Sequence, residues 1–130
     1  MERSQDWMDQ AEGDLIHAQN DAEHGFYDWS CFSAQQAAEK AVKAVFQRLG
    51  GEAWGHSVAD LLRELSRYYL VPEVLMQAAL ELDKAYIPTR DPNAYPSRSP
   101  RRRYTKEEAL RLIAYAERIL RFCQGLLAQA

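Results

Sequence analysis

Apolar residues along this chain recur at intervals of three and four rather than two, so the pattern predicts helices and no strands. Trp7, Ala11, Leu15, Ala18 and Ala22 follow one another at spacings of four, four, three and four, the stripe of one helix face. A first helix is expected from about Ser4 to His24, with Ser4 as N-cap and Gly25 as its end. Asp6 and Asp9 near its start complement the positive end of the helix dipole. A second begins near Asp28 or Ser30 and runs to Leu49, with Cys31, Ala34, Ala38, Ala41, Val42, Val45 and Leu49 inward and Gly50-Gly51 as the stop. Its alanines permit close approach of neighbours, which predicts the central position in the fold. Gln35, Glu39, Lys40 and Lys43 are expected on its outer side, Glu39 and Lys43 as a solvated i,i+4 pair.

A loop, GEAWGHS, precedes a short helix from about Val58 to Tyr69, where Ser57 and Asp60 resemble a capping box. Pro72 suits the first turn of a fourth helix ending near Tyr86, with Val74, Leu75, Ala78, Ala79 and Leu82 inward. From Ile87 to Tyr104 the helical pattern stops, because Pro88, Pro92, Pro96 and Pro100 each remove an amide donor and crowd the preceding turn. Thr105 opens the last helix with Glu108 at the capping-box position, and Leu110, Ile113, Ala116, Leu120, Cys123 and Leu127 form its inner stripe. The expected fold is all-α. It is an up-and-down antiparallel bundle of four long helices and a short one in a single domain, residues 1–130, with a long Pro-rich loop before the last helix.

Charge sharpens this picture. The chain carries net −3, yet the segment from Tyr86 to Lys106 is +5 and the remainder −8. A basic segment on an acidic body points to a local anion site rather than to nonspecific coating of nucleic acid. Arg90, Arg98, Arg101, Arg102 and Arg103 are candidate phosphate contacts, and Tyr86, Tyr95 and Tyr104 candidate stacking surfaces. His56, just before a helix, is a further candidate. The alternative is that prolines and tyrosines pin a connecting loop to the bundle while the arginines stay solvated. His17 and His24 share a face of the first helix, a weak metal signal. Cys31 and Cys123 have neither a CxxC partner nor a histidine cluster, so buried thiols and no metal or other cofactor are expected. The acidic N-terminus and the absence of a long apolar run give an expectation of a cytoplasmic chain with no membrane contact.

The residues Ala34 to Ala44 (AQQAAEKAVKA), then His56-Ser57, then Tyr86-Ile87-Pro88-Thr89-Arg90, resemble prokaryotic HEPN (higher eukaryotes and prokaryotes nucleotide-binding) domains, in their order and spacing. The resemblance covers nearly the whole chain. It implies a helical bundle that commonly forms homodimers and binds nucleotide or RNA. It also implies frequent pairing with a minimal nucleotidyltransferase in toxin–antitoxin-like modules. Many such domains are metal-independent ribonucleases with an arginine, four to six residues, then a histidine. No such pair occurs here: Arg48 and His56 have seven residues between them, and no histidine follows Arg90. The catalytic motif does not carry over, leaving a noncatalytic binding or partner subunit, or a nuclease with an altered site.

Overall fold

The computed structural model describes residues 2–86 and 100–129. Its helices are α1 (Ser4–Glu23), α2 (Tyr27–Arg48), α3 (Val58–Leu65), α4 (Glu73–Asp83), α5 (Pro100–Arg103) and α6 (Lys106–Leu127), with no strand among the described residues.

Helix directions follow from individual contacts. Gly25, at φ 82°, sits in the left-handed region that glycine adopts without strain and turns α1 back into α2. Gln19 donates to Glu117 and Gln124 to Glu12, so rising numbers on α1 meet falling numbers on α6 and the two run antiparallel. Arg48, the last residue of α2, donates to the Leu127 carbonyl at the end of α6 at 2.9 Å, so α2 and α6 run parallel. Residues at the end of α4, Glu81 and Lys84, face Glu108 and Arg111 at the start of α6. The order α1, α2, α4, α6 is therefore the expected up-and-down bundle, with α3 as a short arm. Three of its helices are 20 to 22 residues long, whereas α4 has 11, so the fourth long helix is shorter than expected.

Helix α2 is central because its small side chains let others come close. Ala34, Ala37, Ala38, Ala41 and Ala44 are all fully buried, and α1 and α6 pack most extensively against them. Cys31 and Cys123 are buried in this core. Burial pushes the Cys31 thiol up to about 12, helped by the nearby carboxylates of Glu108 and Asp28, and burial alone raises that of Cys123.

Several expectations need correction. Ser4 is not an N-cap but the first helical residue, buried under Arg48, whose Nη2 donates to its hydroxyl at 3.3 Å. The capping role falls to Glu2, whose carboxylate accepts from the Ser4 amide at 2.6 Å. Hydrogen bonding from the Ser4 hydroxyl, and then from its amide, holds the Glu2 carboxyl below its usual range. Leu49, Val74 and Leu110 point outward, while Met8, Ala109, Leu112 and Ile119 take core positions instead. Pro72 is the N-cap of α4, one position earlier than expected. The basic run forms a helical turn, α5, opened by Pro100, a position where the missing amide breaks no helical bond. The capping box of Thr105 and Glu108 forms as expected, with the Glu108 amide donating to Thr105 Oγ1 at 3.1 Å.

Two outcomes follow from this packing. Ala38→Asp or Leu120→Asp leaves a buried carboxylate without a partner, which costs several kcal/mol of a stability of about 5–15 kcal/mol. Circular dichroism should find either variant unfolded or melting far below the wild type. The native thiols should resist a disulfide reagent at neutral pH and react on unfolding. Because folding raises the Cys31 value from about 8.5, the unfolded chain releases its thiol proton first. Stability should therefore fall as pH rises from there toward about 12, and Cys31→Ala should flatten that fall in urea melts.

Candidate functional site

Packing against α1, α3, α4 and α6 puts several polar residues of α2 out of reach of water. Gln35 is 0% exposed and Glu39 3%, so neither lies on the expected outer face. Both find partners from other elements. Gln35 Nε2 donates to the His56 carbonyl at 2.7 Å, which ties the loop before α3 to α2. The Glu39 carboxylate accepts from Lys43 at 3.1 Å, from Gln36 at 3.3 Å, and faces His56 Nδ1 at 3.3 Å from both oxygens. The expected Glu39–Lys43 pair exists, but it is buried. Lys43 also lies over the Trp7 ring at 6.0 Å, and Lys40 holds Asp14 at 2.6 Å, so neither lysine belongs to a solvated face or an open basic groove.

Asp83, the last residue of α4, completes the frame. Its carboxylate accepts from the Val58 amide at 2.7 Å, the Ala59 amide at 3.0 Å and the Ser57 hydroxyl at 2.8 Å. A carboxylate at the C-terminus of its own helix is opposed by that dipole, but here it caps the N-terminus of α3, where the dipole favours it. Ser57 accepts from the Asp60 amide at 3.1 Å, the expected N-cap bond. Asp60 does not return the bond; it pairs with Arg63 at 3.0 Å.

This frame presents one imidazole. The His56 side chain is 58% exposed, and its ring stacks on that of Tyr86 with centroids 4.7 Å apart and 16° between planes. Phe32 packs on Tyr86 at 5.9 Å, and Trp29 meets Phe32 edge-on at 6.2 Å. The result is a run of four aromatic rings, from Trp29 on α2 to His56 before α3. A carboxylate can only accept, so the Glu39 contact places a proton on His56 Nδ1 and leaves Nε2 on the far side of the ring. Sequence gives His56 no visible partner. Here Glu39, seventeen residues earlier on another element, supplies one.

Of the other candidate residues, Arg90, Tyr95 and Arg98 lie outside the described residues. Arg101, Arg102 and Arg103 are exposed on α5. Arg103 and Tyr104 line a cleft with Lys84 of the α4 end and Arg111 of α6, so one residue of the basic run joins cations that the sequence reading passed over. His17 bonds Ser33 at 2.9 Å and lies 3.4 Å from Asp21, while His24 bonds the Asn20 carbonyl at 2.8 Å. No group of metal-ligating side chains occurs among the described residues. No helix of the described residues is long and apolar enough to cross a membrane.

The HEPN domain family matches residues 4–126. Among solved structures, TT1696 from Thermus thermophilus is 47% identical, with 97% of this chain and 99% of that one covered and a TM-score of 0.94. A HEPN domain protein from Thermotoga maritima (tm0613) is 60% identical over 95% of this chain and 98% of that one, at a TM-score of 0.80. The archaeal HEPN homologue ST0689 is 40% identical over 96% and 98%, at 0.81. No curated protein matches the chain.

The Asp83 frame is open to direct measurement. Asp83→Ala leaves two amides and a hydroxyl at the start of α3 without their acceptor, a loss of about 1–3 kcal/mol. The thermal midpoint should drop by several degrees and the amides of residues 57–60 should exchange faster with deuterium. An unchanged midpoint would show that water replaces the carboxylate without cost.

Proposed function

The chain belongs to the HEPN domain family, and on that premise we propose that it is a nucleotide- or RNA-binding subunit. Its ligand base stacks beside the His56–Tyr86 pair and its phosphates face the basic segment. It acts as a homodimer alongside a nucleotidyltransferase in a toxin–antitoxin-like module, as the family resemblance suggests. One observation carries the binding reading: an exposed imidazole, held by a buried carboxylate and stacked on Tyr86, stands at the root of the +5 segment. Base stacking on an aromatic ring is worth about 1–3 kcal/mol and tolerates any base. Positive charge nearby raises the local concentration of phosphate ligands. The exposed rings of Phe26, Trp29 and Tyr68 support a second copy as partner, since apolar surface of this kind favours an interface.

The specific feature favouring a second reading is the Glu39–His56 contact. In an altered ribonuclease, Nε2 takes the proton of a ribose 2′-hydroxyl as that oxygen attacks the adjacent phosphorus. The 5′-oxygen leaves with a proton taken from water, the imidazolium later returns its own to solvent, and a 2′,3′-cyclic phosphate remains. Glu39 orients the ring and stabilises the imidazolium.

Titration of labelled single-stranded RNA and common nucleotides separates the readings. Tyr86→Ala should weaken binding by about tenfold or more at any salt. Arg90→Ala should also weaken it at any salt. Neutralising Arg101, Arg102 and Arg103 together should remove mainly the part that high salt screens. Equal binding by all proteins, or none at low salt, sinks the binding reading. Cleavage of RNA in EDTA that disappears in both His56→Ala and Glu39→Gln would establish the catalytic one, and no cleavage by the wild type would dismiss it. Light scattering that finds only a 15.0 kDa species at micromolar concentration would remove the homodimer.

A further inference from the structure

Three helix ends bring cations to one place. Lys84 at the end of α4, Arg103 of α5 and Arg111 of α6 line a cleft of about 330 Å³, with Tyr104 at its side. This volume is at the small end of the range of about 300–1,000 Å³ for small-molecule sites. It suits one terminal group with its sugar rather than a run of nucleotides.

Two carboxylates also line the cleft, and both are engaged. Glu81 holds the Lys84 ammonium, and that hydrogen bond keeps its carboxyl below the usual range. Glu108 accepts from the Thr105 amide at 3.3 Å and hydroxyl at 3.2 Å, closing the capping box of α6, where the helix dipole favours its charge. Arg111 makes no ion pair within the described residues, although it lies near enough to Glu81 and to buried Cys31 to influence both. Its guanidinium therefore has donors to offer a ligand. The lining residues sum to +1, and exposed Arg101 and Arg102 stand next to Arg103.

A planar guanidinium fork matches two phosphate oxygens at once, and a second cation across the cleft suits a group with two negative charges better than one with a single charge. We infer that this cleft seats the terminal phosphate of a nucleoside 5′-phosphate, the shared chemistry of a free nucleotide and of a 5′-phosphorylated RNA end. The inference rests on the binding reading above and adds to it a preference for ends. The phosphomonoester is anchored at Arg111 and Lys84. The His56–Tyr86 stack meets the base.

Calorimetric titration with adenosine, adenosine 5′-monophosphate, inorganic pyrophosphate, and a short oligoribonucleotide with either a 5′-phosphate or a 5′-hydroxyl tests it. The phosphorylated member of each pair should bind about tenfold tighter or more, and that advantage should vanish in Arg111→Gln and shrink in Lys84→Gln. Both positions are exposed, so circular dichroism should show the fold unchanged. A free nucleotide that gains more from its phosphate than the strand does identifies the nucleotide as the source, and the reverse identifies the RNA end. Equal affinity for the phosphorylated and unphosphorylated ligands overturns the inference, as does an advantage that survives both substitutions. If strands of either end bind equally and lose affinity in Tyr86→Ala, the binding reading stands and the end preference falls. If pyrophosphate binds in an Arg111-dependent way while neither nucleoside nor strand adds to it, the cleft is an anion site and the nucleic-acid reading falls.

Discussion

Helix α2 is enclosed over most of its surface, and a polar side chain on its buried faces depends on hydrogen bonds from inside the protein. That constraint shapes what surrounds it. An unpaired buried carboxylate costs several kcal/mol, a sizeable share of what a domain of this size has in hand. Glu39 is tolerated because Lys43, Gln36 and His56 converge on it. Gln35 is tolerated because the His56 carbonyl meets it. The loop between α2 and α3 is consequently located by the needs of the central helix rather than by its own turn chemistry. Asp83 then fixes α3 against the end of α4. The imidazole is thus held by a chain of satisfied polar groups.

How much of this the sequence discloses depends on how local each interaction is. Periodic stripes and the Thr105–Glu108 capping box involve residues within a turn or two of each other, and both are legible. So are the central place of α2, from its alanines, and the burial of both cysteines. The burial of Gln35 and Glu39 is not, because a polar side of a helix looks the same in sequence whether water or another helix covers it. The deciding partners, His56 and Asp83, come from elements whose docking no spacing rule predicts. One hint was available: Asp83 ends a helix where its charge is unfavourable, which suggests employment elsewhere. The basic cleft divides in the same way. Arg103 stands out within its run, while Lys84 and Arg111 are isolated cations that only the bundle brings beside it. The residues at the centre of the basic segment, Arg90, Tyr95 and Arg98, fall outside the described residues.

The site combines two interactions with different reach. The ring run from Trp29 to His56 acts only on contact and is insensitive to salt. The charges of α5 and the cleft act over about 8–10 Å and weaken as salt rises. Rigidity is concentrated in the first: its rings sit on α2, at the end of α4, and on a loop with bonds to both. Charge is concentrated in the second, at the corner where α5 meets α6. On the binding proposal, a surface built this way attracts broadly and sorts its ligands at short range.

Arg48 has an architectural consequence. One guanidinium touches Glu2 at 3.5 Å, the Ser4 hydroxyl at 3.3 Å and the Leu127 carbonyl at 2.9 Å. The first turn of α1 and the last turn of α6 therefore meet within the span of a single side chain, at the pole of the bundle farthest from the start of α6. Any polypeptide joined ahead of α1 and any joined behind α6 would leave side by side, facing away from His56 and the cleft. The topology is close to circular: a short bridge across that pole would close the chain on itself, and a cut in a surface loop would give a permuted protein with the same helices in the same places.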